Sequence, residues 1–328
     1  MTVISDEEPE VEGADLLKEE DVVYPQKIAA EALHWDRAVE QQLALGMIPD
    51  IRRGVKQKTV LAMWDDPEMD RIMRGDVRTF IIQKASEIKG RALDLGCGVG
   101  WLSLELARNG MHVDAVDISR RRIEVARNYL AKAPKKENFG SINYMVADLN
   151  RIVLESHAYD AVVVWDALHH ILEIEKLIKE VKKALKPGGN FLVLDHIGRT
   201  RLGGLMSNLF LLLLPTNDSY SVKLKSIFKS IRKTLKKEVS TGRTNADDQS
   251  PFEDITTVEM IHLINKYFSI RKKRTLLSFS AFVVPRISAR DSIKYKLVRV
   301  MRLLDDFLIK LGISRGEYVF IWANKEGH

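Results

Sequence analysis

Short apolar runs alternate with amphipathic stretches through the middle of this chain. Ala92–Leu95, Val113–Val116, Tyr144–Ala147, Tyr159–Trp165 and Phe191–Leu194 are near-continuous apolar segments, the pattern of strands buried on both faces. Between them the period lengthens. After Ser119, a good N-cap, Ile123, Ala126 and Leu130 fall on one side of a predicted helix. A helix predicted from Ile171 places Ile174, Leu177, Ile178, Val181 and Leu185 together. Strands separated by such helices must run parallel through right-handed crossovers, which predicts an α/β, doubly wound sheet. Ligands of such sheets bind at the carboxyl ends of the strands. Asp94 lies within a predicted strand, whereas Asp117, Asp148, Asp166 and Asp195 sit at or just past strand ends and should line one cleft.

The flanks read differently. Ala29–Leu45 predicts a helix containing His34-Trp35-Asp36, and Phe80, Ile81, Ala85 and Ile88 predict another over Val77–Ile88. Beyond Asp195 the alternation breaks. Leu202–Leu214 is almost wholly apolar and stops at Pro215. Lys223–Lys237 reads as a basic amphipathic helix with Leu224, Ile227, Phe228, Ile231 and Leu235 inside, followed by a polar loop, Thr241–Ser250. Thr257–Lys266 predicts a further core helix. Strands over Ser269–Leu276 and Tyr318–Ala323 then bracket a long amphipathic helix, Arg290–Leu311. The division expected is an acidic, disordered tail (1–25), an N-terminal helical cap (26–90), a core (91–198), a helical insertion or lid (199–250) and a C-terminal completion of the core (251–328).

The chemistry gathers at Asp94-Leu95-Gly96-Cys97-Gly98-Val99-Gly100, between a strand and a helix that begins near Trp101. Glycines allow unusual backbone angles and close ligand approach, and the helix start offers unpaired N–H groups. Asp117 at the tip of the next strand is where a ribose diol would be held. Tyr144–Asp148, Tyr159–Asp166 and Leu185-Lys186-Pro187-Gly188-Gly189-Asn190 follow in order. Together, over Arg91–Asp195, these motifs resemble the class I S-adenosylmethionine (SAM) dependent methyltransferases. A nicotinamide dehydrogenase also uses glycines and a strand-end acid, but the Asp-Leu-Gly-Cys-Gly opening and the Lys-Pro-Gly-Gly turn match the methyltransferases.

The resemblance implies a Rossmann-like, mostly parallel seven-stranded sheet, closed by an antiparallel hairpin, with SAM as cofactor and S-adenosylhomocysteine as product. It implies that the Asp94–Gly100 loop, with Gly96, Cys97, Gly98 and Gly100, holds the methionine part. Asp94 would reach the ammonium directly or through water, Asp117 would accept the ribose hydroxyls and Ile118 would lie against adenine. Asp148, beside Leu149, would take the adenine amino group. Asp166 opens the loop beside the transferable methyl, and Leu168-His169-His170 looks like the Leu-His-His of quinone-type and other small-molecule methyltransferases. Histidine titrates near neutral pH, so His169, His170 and His196 are the candidate general bases, with His34 behind them. One histidine capping a helix and another packing on the sheet is the structural alternative.

Composition narrows the setting. The 328 residues are 45% hydrophobic, enough for a sizeable core, and the single cysteine, Cys97, excludes an internal disulfide. No metal site is expected. No apolar run approaches the roughly 20 residues that cross a bilayer, and an acidic start does not fit a secretory signal; the expectation is cytoplasmic. The net charge of +6 is segregated, acidic before Asp21 and basic over Lys223–Lys237. Residues 202–237 are therefore read as a lid or dimer surface, an acceptor pocket or a peripheral contact with anionic membrane, and nucleic acid is disfavoured. The expected function is methyl transfer to a small molecule, most simply O-methylation of a sugar-containing or lipid-like metabolite; Ser250-Pro251-Phe252-Glu253 resembles a feature of bacterial methyltransferases associated with surface-glycan or natural-product pathways. C-methylation of a quinone- or polyprenyl-like acceptor and a non-catalytic SAM-binding role are the alternatives.

Overall fold

The computed structural model describes residues 19–225 and 257–326, apart from residues 58 and 61, together with residue 228. Most of the basic segment, the polar loop and the Ser250–Glu253 stretch lie outside the described residues, as does the tail before residue 19.

Seven strands form one sheet: β1 (Arg91–Leu95), β2 (His112–Asp117), β3 (Ser141–Val146), β4 (Tyr159–Trp165), β5 (Leu185–His196), β6 (Ser269–Leu276) and β7 (Tyr318–Asn324), in the order β3-β2-β1-β4-β5-β7-β6. Pairing is parallel from β3 through β5, and β7 runs antiparallel to both β5 and β6. The longer helices are α1 (Glu19–Ala44), α2 (Pro67–Ala85), α3 (Trp101–Arg108), α4 (Arg120–Lys132), α5 (Ile174–Ala184), α6 (Arg201–Leu213), α7 (Thr257–Tyr267) and α8 (Asp291–Lys310), the last set between β6 and β7.

Strand periodicity of two divides the core. Ala92, Ala161, Val163, Leu192 and Leu194 pack on one face with Met73, Val77 and Ile81 of α2, Leu102 and Leu106 of α3, and Val298 and Met301 of α8. Leu93, Val162, Val164, Phe191 and Val193 pack on the other with Ile174, Leu177 and Val181 of α5 and Met260, Leu263 and Ile264 of α7. The crevice where strand order reverses lies between β1 and β4, and the site is built there.

Four boundaries differ from the sequence reading. α2 begins at Pro67, ten residues before Val77, with Asp66 as N-cap accepting from Met69 N–H and proline at the first helical position. Its early turns bury Asp70 and Arg74 as an ion pair, which hides the apolar stripe from a pattern search. α1 begins at Glu19, so residues 19–25 are helical rather than a disordered tail, and Pro25 sits inside the helix. Ile171 is extended, φ −98° and ψ 117°, after a 3-10 turn over Leu168–His170, and α5 starts only at Ile174. β5 runs from Leu185 and takes in the Lys-Pro-Gly-Gly turn, with its register against β4 shifting between Tyr159 and Ala161.

Candidate active site

The loop after β1 is held open by backbone geometry that L side chains avoid. Gly96 and Gly100 have φ of +71° and +80°, and a Cβ on Gly100 would lie 2.2 Å from the Tyr144 hydroxyl. Gly96 N–H and Cys97 N–H both donate to Val116 O, tying the loop to β2. Asp117, the last residue of β2, accepts from Gly98 N–H at 2.8 Å through Oδ2 and from Ser119 N–H at 2.9 Å through Oδ1. One carboxylate thus shapes both the glycine loop and the α4 N-terminus, with acceptor positions to spare.

A pocket opens beside this loop, lined by Glu31 and Trp35 of α1, Gly96, Asp117, Ile118, Arg122, Asp148, Leu149, Asn150, Asp166, Ala167, His170 and Ile171. Six of the residues expected to meet the cofactor, Gly96, Asp117, Ile118, Asp148, Leu149 and Asp166, therefore share one wall-set. Asp94, Cys97, Gly98 and Gly100 do not line it. Asp94 is 1% exposed and accepts from Ser103 Oγ at 2.5 Å. Burial pushes its carboxyl up to about 7. Cys97 is buried in the core, its thiol pushed well above the ordinary value by burial.

Residues of the expected N-terminal cap that the sequence reading gave no site role complete the walls. The Trp35 indole N–H donates to Glu31 at 2.7 Å, its ring lies 3.9 Å from the Arg122 guanidinium, and it meets His170 edge-on. Asp36 of the same helix accepts from Ser119 Oγ and from Arg121 N–H, and the Tyr24 hydroxyl donates to Asp148 Oδ2 at 2.6 Å. From α2, Arg74 donates to Asp70 and Asp166 and lies over the rings of Trp165 and Trp64. The i, i+4, i+8 spacing of Asp70, Arg74 and Arg78 is the signal that could have found it.

The three histidine candidates separate by their surroundings. His169 Nδ1 lies 2.5 Å from Asp195 Oδ1, and the other oxygen of that fully buried carboxylate accepts from Ala167 and Leu168 N–H. The carboxylate fixes the tautomer with hydrogen on Nδ1 and the lone pair on Nε2. The His170 ring lies 4.0 Å from the His169 ring, tilted by 43°, and lines the pocket; burial pushes its pKa well below the ordinary value, so it is neutral at pH 7. His196, 6.0 Å from the His169 ring and edge-on to Tyr318, is pushed down to about 4 by burial. His34 packs edge-on to Trp35. The structure thus places His169 in the setting of an oriented base and leaves His170 and His196 as weaker ones.

Residues 93–193 match the family model described as a methyltransferase domain. This span is a class I SAM-dependent methyltransferase domain. The methyltransferase segment is 32% identical over 114 residues to a ubiquinone biosynthesis O-methyltransferase of Coxiella burnetii, covering 34% of this chain and 47% of the relative. It is 33% identical over 112 residues to a demethylmenaquinone methyltransferase of Leptospira interrogans, covering 33% and 43%. The chain spans less than half the length of either relative. Among solved structures, phosphoethanolamine N-methyltransferase 2 of Haemonchus contortus in complex with SAM gives a TM-score of 0.46 at 17% identity, covering 77% of this chain and 53% of that one.

The pocket carries one further sign of a ligand. Asp166 Oδ1 is buried without a hydrogen-bond partner at the wall. Strand-tip acids on one side and an orphan acceptor on the other suit a cofactor with a polar nucleoside and a cationic amino-acid end. Among the described residues, no helix is long and apolar enough to cross a membrane.

Proposed function

We propose that this protein transfers the methyl group of SAM to a hydroxyl of a small-molecule acceptor, by O-methylation of a lipid-like or sugar-containing metabolite. The His169–Asp195 pair carries the reading. Bound SAM supplies an electrophilic methyl on a sulfonium sulfur. For an acceptor hydroxyl placed beside that methyl, His169 Nε2 would take the hydroxyl proton and Asp195 would offset the charge on the ring. The His170 and Trp35 walls position the reactants, and alignment supplies much of the rate in such displacements.

The α6 helix supports the lipid-like version. Gly203, Ser207 and Leu211 pack inward, while Leu202, Leu205, Leu209 and Leu213 form an exposed stripe. The sequence that follows is basic over Lys223–Lys237, the charge that an anionic membrane surface attracts.

Methyl-labelled SAM incubated with a metabolite extract tests the reading, with wild type beside His169→Gln and Asp195→Asn. A labelled methyl ether is expected, with turnover falling by about 10²-fold or more in His169→Gln and SAM affinity little changed. A carbon-bound methyl would support a quinone-like C-methylation instead, and no labelled product would support a non-catalytic role.

A further inference from the structure

The orphan acceptor at Asp166 is one of only two buried side-chain polar atoms without a hydrogen-bond partner among the described residues; the other is Gln57 Oε1. Its companion oxygen, Oδ2, accepts from Arg74 Nη1 at 2.8 Å. Arg74 is 4% exposed, and its Nε donates to Asp70, which in turn accepts from Arg78. Two arginines and two carboxylates thus form a chain whose last oxygen lacks a donor. Burial holds the Asp166 carboxyl up, to about 6, despite the facing Arg74.

The backbone is set to deliver this group. Asp166 has φ +52°, one of three non-glycine residues with positive φ among those described. Its N–H donates to Leu194 O, and Asp195 captures the next two N–H groups, so the unfavourable turn is locked from β5. The result puts the carboxylate in the pocket wall with Ala167 and Gly96. Asp117, Ile118, Asp148, Leu149 and Asn150 form the part of the wall suited to a nucleoside.

We infer that Asp166 is the direct receptor for the ammonium of the cofactor's amino-acid end, and that Arg74 positions it. The inference rests on the SAM reading of the pocket. An ammonium supplies both the missing donor and the opposite charge, and a charge-assisted hydrogen bond of this kind is among the stronger ones. Asp94, the residue to which the family resemblance gives the ammonium, is sealed in β1 beneath Ser103 and lines no part of the pocket.

Calorimetry with SAM, S-adenosylhomocysteine and 5′-methylthioadenosine tests this, because the last compound lacks the amino-acid end. Asp166→Asn should weaken SAM and S-adenosylhomocysteine by about tenfold or more and leave 5′-methylthioadenosine within about twofold. Asp166→Gly, which takes positive φ without strain, should show the same selective loss in a chain that folds normally. Asp94→Asn should bind SAM better than either variant does. Unchanged SAM affinity in both Asp166 variants, equal loss of 5′-methylthioadenosine, or a larger loss in Asp94→Asn would each overturn the assignment. Wild-type protein that binds none of the three compounds would instead overturn the SAM reading itself.

Discussion

A Cβ built on Gly96 would lie 2.4 Å from the Cβ of Ala167, so the loop after β1 and the loop after β4 meet at a distance that only glycine permits. The contact joins the two halves of the sheet at the reversal of strand order. Gly96→Ala should therefore combine an unfavourable φ with a collision, costing about 1–3 kcal/mol of stability and most of the cofactor affinity. Denaturant unfolding and calorimetry on one preparation check both, and a variant that keeps full affinity would mean that the loops separate freely.

Asp117 serves the protein before it serves a ligand. Asp117→Asn keeps an acceptor but loses the charge facing Gly98 and Ser119 N–H, and should weaken SAM by about 1.5–3 kcal/mol. Asp117→Ala should lose at least as much and also destabilise the loop. Equal SAM affinity in wild type and both variants would show that the carboxylate is purely structural.

Burial of His196 gives stability a pH dependence of definite sign. Its folded value of about 4 lies below the unfolded value of 6.5, so the unfolded chain binds the extra proton first. The stability tied to neutral His196 is intact above pH 6.5 and is lost as pH falls toward 4. Between pH 7 and pH 5 the wild type should lose on the order of 1–2 kcal/mol more than His196→Gln does. Parallel denaturant titrations at the two pH values measure the difference, and identical losses would refute it.

Leu211 and Leu213 sit close together in α6 but face opposite ways, one 9% exposed and the other 70%. Leu211→Ser should cost about 2–4 kcal/mol through the vacated core and the buried hydroxyl. Leu213→Ser should leave stability within about 0.5 kcal/mol. If the stripe meets a membrane, Leu213→Ser combined with Leu209→Ser should also reduce flotation with anionic vesicles, an association that added salt weakens. No flotation of wild type at low salt would remove the membrane contact.

The sheet was legible because its strands are apolar on both faces and its turns carry glycine and Lys-Pro-Gly-Gly. The pocket acids were legible for the same reason, as they stand where apolar runs stop. Arg74, Glu31 and Arg122 were not. Each is a charged residue made tolerable in the interior in part by a group that only the fold brings to it, Asp166 to Arg74, His170 to Glu31 and the Trp35 ring to Arg122, and hydrophobic periodicity counts such residues as surface. The histidines mark the limit most clearly. Spacing placed His169, His170 and His196 near one cleft, but only the fold brings Asp195 to His169 and buries the other two.

The stitching of α1 to the pocket has a consequence for the order in which the molecule is made. Tyr24, Glu31, Trp35 and Asp36 belong to the first helix, yet Tyr24 reaches Asp148, Glu31 and Trp35 face His170, and Asp36 reaches Ser119. During synthesis α1 emerges long before these partners exist. One side of the pocket is thereby built from residues whose partners, Ser119 and Asp148, follow 83 and 124 positions later, so the helix cannot take its place until they are made.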